Sequence, residues 1–121
     1  RSSNKHLLNP LMRRLAGKRY WYASVVEHTG RRSGKRYSTP IVADRVGDDI
    51  IIPLPYGTQV DWVRNVITSG EATIVSRGQT YRAVSPELID STQALPQLPR
   101  DRRRTFERVR IGHFLRMQVS G

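Results

Sequence analysis

The chain contains no cysteine, which removes disulfide frameworks, thiolate nucleophiles and zinc–thiolate sites at once and fits a reducing cytoplasm. No apolar run approaches the length of a membrane span. Acidic residues are scarce, ten Asp and Glu against 21 Lys and Arg, and the carboxylates do not cluster as an acid and base couple. Histidine is scarcer still: His6, His28 and His113 are scattered and offer no helix-face metal pair, so no metal site is expected. Catalysis, if there is any, then has to come from a bound cofactor, with the protein supplying binding and orientation.

What the chain does have is positive charge. A formal net charge of +11 on 121 residues implies an anionic partner: a phosphate-bearing cofactor, a nucleic acid or an anionic membrane surface. Nucleic acid ranks last, because the aromatics form no evident stacking platform beside the charge. The length suits one domain, residues 1–121, small enough that a bulky cofactor or a second subunit in a homodimer would bury a sizeable share of its surface.

The charge is concentrated in Glu27-His28-Thr29-Gly30-Arg31-Arg32-Ser33-Gly34-Lys35-Arg36-Tyr37-Ser38-Thr39-Pro40, where four cations fall within six positions between and beside two glycines. Such a stretch can hold a polyanion by backbone and side chain together. Val25-Val26 before it and Thr39-Pro40-Ile41-Val42 after it predict a hairpin with the charge in its loop. It is not a Walker loop: three residues separate Gly30 from Gly34 instead of four, and Arg36 stands where Ser or Thr would ligate magnesium.

Along the chain, Asn9-Pro10 opens a predicted helix over about 9–16, apolar through Leu11 and Leu15 and basic through Arg13 and Arg14. Strands are expected over Arg19 to Val26, Ile41 to Val46, Ile50 to Ile52, Ala72 to Ser76, Thr80 to Val84 and Phe114 to Val119. Pro53-Leu54-Pro55-Tyr56-Gly57-Thr58 reads as a loop whose tight backbone could approach a flat ring. Asp61 reads as the N-cap of a helix burying Trp62, Val63, Val66 and Ile67 and ending at Ser69-Gly70, with Asn65 as its one uncharged amide. Ser85-Pro86-Glu87 is expected to open a short helix, 94–99 a loop, and Asp101 to about Ile111 another helix. The sum is a mainly β, α+β domain: a barrel of about six antiparallel strands with short helices at its mouth.

The basic stretch resembles the signature of the deazaflavin-dependent nitroreductase family, small split β-barrel proteins in which a similar Thr-Gly-Arg-Arg-Ser-Gly-Lys segment runs into Thr-Pro. Pro53-Leu54-Pro55-Tyr56-Gly57, Asp61-Trp62-Val63-Arg64-Asn65 and Phe114-Leu115 look like later landmarks of that family, so the resemblance spans most of residues 9–119. It implies a split barrel that binds coenzyme F-420, an 8-hydroxy-5-deazaflavin, in preference to FMN. It also implies hydride transfer from the reduced coenzyme to a quinone, nitroaromatic or other conjugated small-molecule acceptor. By the same resemblance Arg31, Arg32, Ser33, Gly34 and Lys35 meet the phosphate and acidic tail, and Tyr37, Thr39 and Pro40 line the way inward. Pro53, Pro55, Tyr56 and Gly57 sit beside the ring, and Asp61, Trp62 and Asn65 close it. Because the histidines are scattered and cysteine is absent, protonation is left to water or to a tyrosine such as Tyr56. Leu54, Tyr56 and Val63 depart from the lysine, paired glycines and aromatic residue of many active members. That departure leaves a second expectation, a non-catalytic protein holding a fatty acid or other anionic lipid. The expected location is the cytoplasm, with peripheral contact at the inner face of the cell membrane.

Overall fold

A computed structural model describes residues 24–120. The predicted helix at 9–16, the start of the first predicted strand and His6 lie outside the described residues. Seven strands form one antiparallel sheet: β1 (Ser24–Thr29), β2 (Arg36–Ile41), β3 (Asp44–Val46), β4 (Asp49–Pro53), β5 (Glu71–Ser76), β6 (Gln79–Asp90) and β7 (His113–Val119). Helix α1 (Asp61–Ser69) follows β4, and α2 (Ser91–Ala94), a 3-10 turn (Leu95–Gln97) and α3 (Arg100–Arg108) lie between β6 and β7.

The strand order β2-β1-β5-β6-β7-β4-β3 puts β2 and β3 at opposite edges of the sheet, yet only Val42 and Ala43 separate them in the chain. The three steps from Ile41 to Asp44 reach at most about 11 Å, so the sheet has to curl until its edges meet. The result is a split β-barrel, mainly β, with seven strands rather than six among the described residues. The extra strand arises because the predicted strand over Ile41 to Val46 is the junction itself: Ile41 ends one edge and Asp44 begins the other.

The two faces of the curled sheet carry separate cores. Strand β4 shows this in three residues, because side chains alternate across a strand: Ile50 and Ile52 point into the barrel with Val26, Ile74, Leu115 and Met117. Ile51 points outward against Phe106 and Phe114, whose rings meet edge-on at 5.7 Å between centroids. Helix α1 adds Trp62, Val63 and Val66 to the inner core and stops at Gly70, a left-handed residue whose N–H donates to Val66 O. Ile67, expected on that buried face, is exposed.

Two further expectations need correction. Ser85-Pro86-Glu87 opens no helix; it is a bulge in β6, where the register to β7 shifts between Val84 and Glu87 and Ser85 has φ 57°. Proline has no N–H to lend to a ladder, and a bulge tolerates it as readily as a helix start does. Residues 94–99 are partly helical, since Asp90 caps α2 with a reciprocal pair of hydrogen bonds to Gln93. The last helix starts at Arg100 and ends at Arg108, three residues short of the expected Ile111.

Candidate functional site

The basic stretch forms the expected hairpin: β1 and β2 pair with Val25 opposite Pro40 and Val26 opposite Thr39. Tyr37, Thr39 and Pro40 therefore belong to a strand, and only 30–35 form the loop. Gly30 N–H donates to Lys35 O at 2.7 Å and Gly34 N–H to Gly30 O at 2.9 Å. Gly34 takes φ +74°, a left-handed conformation that favours glycine. At Gly30 a Cβ would come within 2.6 Å of Ser33 Oγ and 2.8 Å of the Tyr37 ring, so a larger residue would have to push these two side chains aside. Ser33 Oγ accepts from Lys35 N–H and lies 3.2 Å from Tyr37 Oη.

The loop cations divide into two kinds. Arg31 is turned inward: its backbone N–H and Nη1 both donate to Asn65 Oδ1, at 3.1 and 2.8 Å, and Nη2 lies 3.4 Å from Asp61 Oδ1. Arg36 bonds Thr29 Oγ1 and pairs with Glu27. Arg32 and Lys35 are exposed.

Asn65 is buried, and its bonding settles the chemistry of His28. Because Oδ1 faces two donors on Arg31, the amide nitrogen Nδ2 faces His28 Nδ1, at 3.1 Å, and Nδ1 must accept. The ring proton then sits on Nε2, which donates to Thr39 Oγ1 at 3.0 Å. His28 is 3% exposed and its pKa is lowered to about 4, first by burial and then by the charge of Arg36, with Asp61 opposing. A proton added at Nδ1 would also face the Asn65 N–H. With its lone pair taken by His28, Thr39 keeps its own O–H to donate elsewhere. The role of His28 as the link between loop and strand was missed in the sequence. The signal was period two: Ser24, Val26 and His28 share the inward face of β1.

Thr39 also lines a shallow, open cleft that encloses about 30 Å³, far less than a site that swallows a whole small molecule. Its walls are otherwise mostly apolar, with Pro40, Pro53, Pro55, Tyr56, Gly57 and Trp62 among them. Pro53 ends β4, and Leu54 to Gly57 make a turn closed by Gly57 N–H to Leu54 O at 3.1 Å, with Pro55 at the position that its φ suits. Gly57 has φ +88° and open space where a Cβ would stand. Trp62 is shared between this cleft and the core. Asp61 is the first residue of α1 rather than its cap, which is Val60.

The structure thus brings the predicted residues together as two adjacent features, a cationic loop and an apolar cleft, joined through Arg31, Asn65, His28 and Thr39. Among the described residues no group of three or more His, Asp or Glu could hold a metal ion, and no helix is long and apolar enough to cross a membrane.

No protein-family model matches the chain, and no curated protein matches it. Solved structures do. General stress protein 26 from Bacillus anthracis str. Sterne superposes with a TM-score of 0.58 at 6% identity, covering 79% of this chain and 78% of that one. An F-420 reductase gives 0.56 at 9% identity, covering 81% and 86%. An FMN-binding protein from Syntrophomonas wolfei gives 0.52 at 16% identity, covering 98% and 91%. At such identities the likeness is one of fold.

Proposed function

We propose that the chain is a deazaflavin-dependent oxidoreductase that binds coenzyme F-420 and reduces a quinone, nitroaromatic or other conjugated acceptor. The observation that carries this reading is the adjacency just described: exposed Arg32 and Lys35 on a tight loop, three hydrogen-bonded steps from a cleft walled by prolines, Tyr56 and Trp62. A ligand with a flat ring and a long acidic tail matches both parts, and the open space at Gly57 suits close approach of a ring. When bound, the reduced deazaflavin supplies the hydride. The chain supplies the rest: Arg32 and Lys35 hold the tail, the Pro53–Gly57 turn and Trp62 exclude water, and Thr39 offers a hydrogen-bond donor at the cleft wall. Tyr56 offers a phenol as proton donor there. His28, neutral and turned away into its network, positions Thr39 and takes no part as acid or base. Two fold neighbours, named an F-420 reductase and an FMN-binding protein, support a flavin-type ligand.

The mostly apolar walls beyond Thr39 favour one second reading, an acyl chain of a fatty acid or other anionic lipid at a membrane surface. Titration of the protein with reduced coenzyme F-420, FMN and a fluorescent fatty acid separates the readings. F-420 is expected to bind more tightly than FMN, and the Arg32→Ala/Lys35→Ala variant to lose about 1.5–3 kcal/mol per charge-assisted contact while folding normally. FMN binding more tightly than F-420, or a double variant with unchanged affinity, sinks the proposal; a fatty acid bound where F-420 is not establishes the second reading.

A further inference from the structure

A second and larger cavity, about 440 Å³, shares no lining residue with the cleft. It is floored by Ile50 and Ile74 and walled by β3, the β5–β6 hairpin and the first turn of α3. Its size is within the range for small-molecule sites.

The wall contains a buried carboxylate with one oxygen left over. Asp44 Oδ1 accepts from Arg102 Nε at 2.8 Å, with the two side chains 8% and 9% exposed. Asp44 Oδ2 and, on the other side of the pair, Arg102 Nη1 are buried atoms that make no hydrogen bond among the described residues. A buried acceptor left unsatisfied costs about 1–3 kcal/mol, and such groups in folded proteins call for a water, an ion or a ligand. Burial, helped by the charge of Asp101, raises the Asp44 pKa against the pull of Arg102 and Arg77, so its charged form is disfavoured where it stands. It lacks a donor.

The rim has the opposite character. Arg45 is exposed, with its guanidinium 5.0 Å above the Tyr81 ring and a long contact of 3.8 Å to Asp48. Arg77 is exposed at the tip of a two-residue turn with Gly78, at φ 53° and 79°, values that fit a primed hairpin turn. Asp101 is the acid on that side and is itself exposed. The cavity thus presents an acceptor inside and cations at its mouth.

We propose that this cavity binds a small amphoteric molecule, which donates from an ammonium or hydroxyl group to Asp44 Oδ2 and places a carboxylate between Arg45 and Arg77. The site is independent of the cleft and of what occupies it.

Matched probes test this on the full chain: the ω-amino acids β-alanine, γ-aminobutyrate and 6-aminohexanoate, with butyrate and butylamine as single-charge controls. The readout is the backbone amide NMR spectrum at Asp44, Arg45, Arg77 and Gly78. At least one ω-amino acid is expected to shift these signals with a Kd of about 1 mM or tighter, and about tenfold tighter than either control. Asp44→Asn is expected to weaken it about tenfold. Should that variant fail to fold, exposed Arg77→Gln is expected to weaken the ω-amino acid and leave butylamine unchanged. The proposal is overturned if no ω-amino acid shifts these signals, if a control binds as tightly as the amphoteric probe, or if neither variant changes its affinity.

Discussion

Asn65→Ala removes the side chain at which loop, helix and strand meet, and its cost can be worked out bond by bond. Three hydrogen bonds go: one from the Arg31 backbone, one from the Arg31 guanidinium, and one to His28. A neutral bond contributes about 0.5–1.5 kcal/mol net and a charged one about 1.5–3. The Arg31 guanidinium keeps its contact with Asp61 and can turn to water, so its loss lies at the low end. His28 cannot escape; its Nδ1 stays buried and unsatisfied, at about 1–3 kcal/mol. Alanine returns roughly 0.5 kcal/mol of helix propensity. The expected net loss is about 2.5–5.5 kcal/mol, a large part of the 5–15 kcal/mol typical of a domain.

Urea unfolding followed by tryptophan fluorescence measures that loss. A companion variant tests the direction of the bonds. Asn65→Asp keeps an acceptor for Arg31 but puts a carboxylate against His28 Nδ1, which favours the imidazolium. Its deficit relative to wild type should shrink at pH 5 and grow at pH 8. An Ala variant within about 1 kcal/mol of wild type would show that the network contributes little, and the opposite pH trend for the Asp variant would refute the assigned tautomer.

Two further outcomes follow from buried groups. His28 holds its proton below pH 6.5 when unfolded but only below about pH 4 when folded, so the unfolded chain carries more protons in between and stability rises with pH. Its contribution is complete above pH 6.5, and about 2 kcal/mol is lost by pH 5; urea melts at pH 5 and 8 that show no such loss in a wild type that Asn65→Asp evens out would count against it. Arg102→Leu leaves Asp44 buried without its cation and should cost about 3–5 kcal/mol, whereas Asp44→Leu/Arg102→Leu should recover much of that. Additive losses in denaturation of the single and double variants would show that the pair is not coupled.

What was legible in the sequence was local. The hairpin at 30–35 announced itself because glycines and apolar flanks lie within a dozen residues, and the turn at 53–57 because two prolines stop a strand in one place. The curl of the sheet was hidden for the opposite reason: a strand run that looks continuous from Ile41 to Val46 gives no sign that its ends belong to opposite edges. Arg31 shows the same limit at the level of one side chain. In sequence it is one of four loop cations and equal to Arg32, yet Asn65, 34 residues away, takes both its N–H groups and makes it part of the scaffold. Asp44 and Arg102 meet across a still longer span, and only Phe106, one helical turn after Arg102, hints that the arginine faces inward.

Asn65 and His28 could each have been found from periodicity alone, by asking which polar residue falls on an apolar face. Asn65 sits three residues after Trp62 and one before Val66, inside the buried stripe of α1; His28 sits two after Val26 on the inward face of β1. A polar group on such a face must find a partner there, and two such groups on elements that pack together are each other's best partner. The reasoning that reads apolar spacing as core therefore reads its exceptions as contacts, and here the exceptions are what join the cationic loop to the cleft.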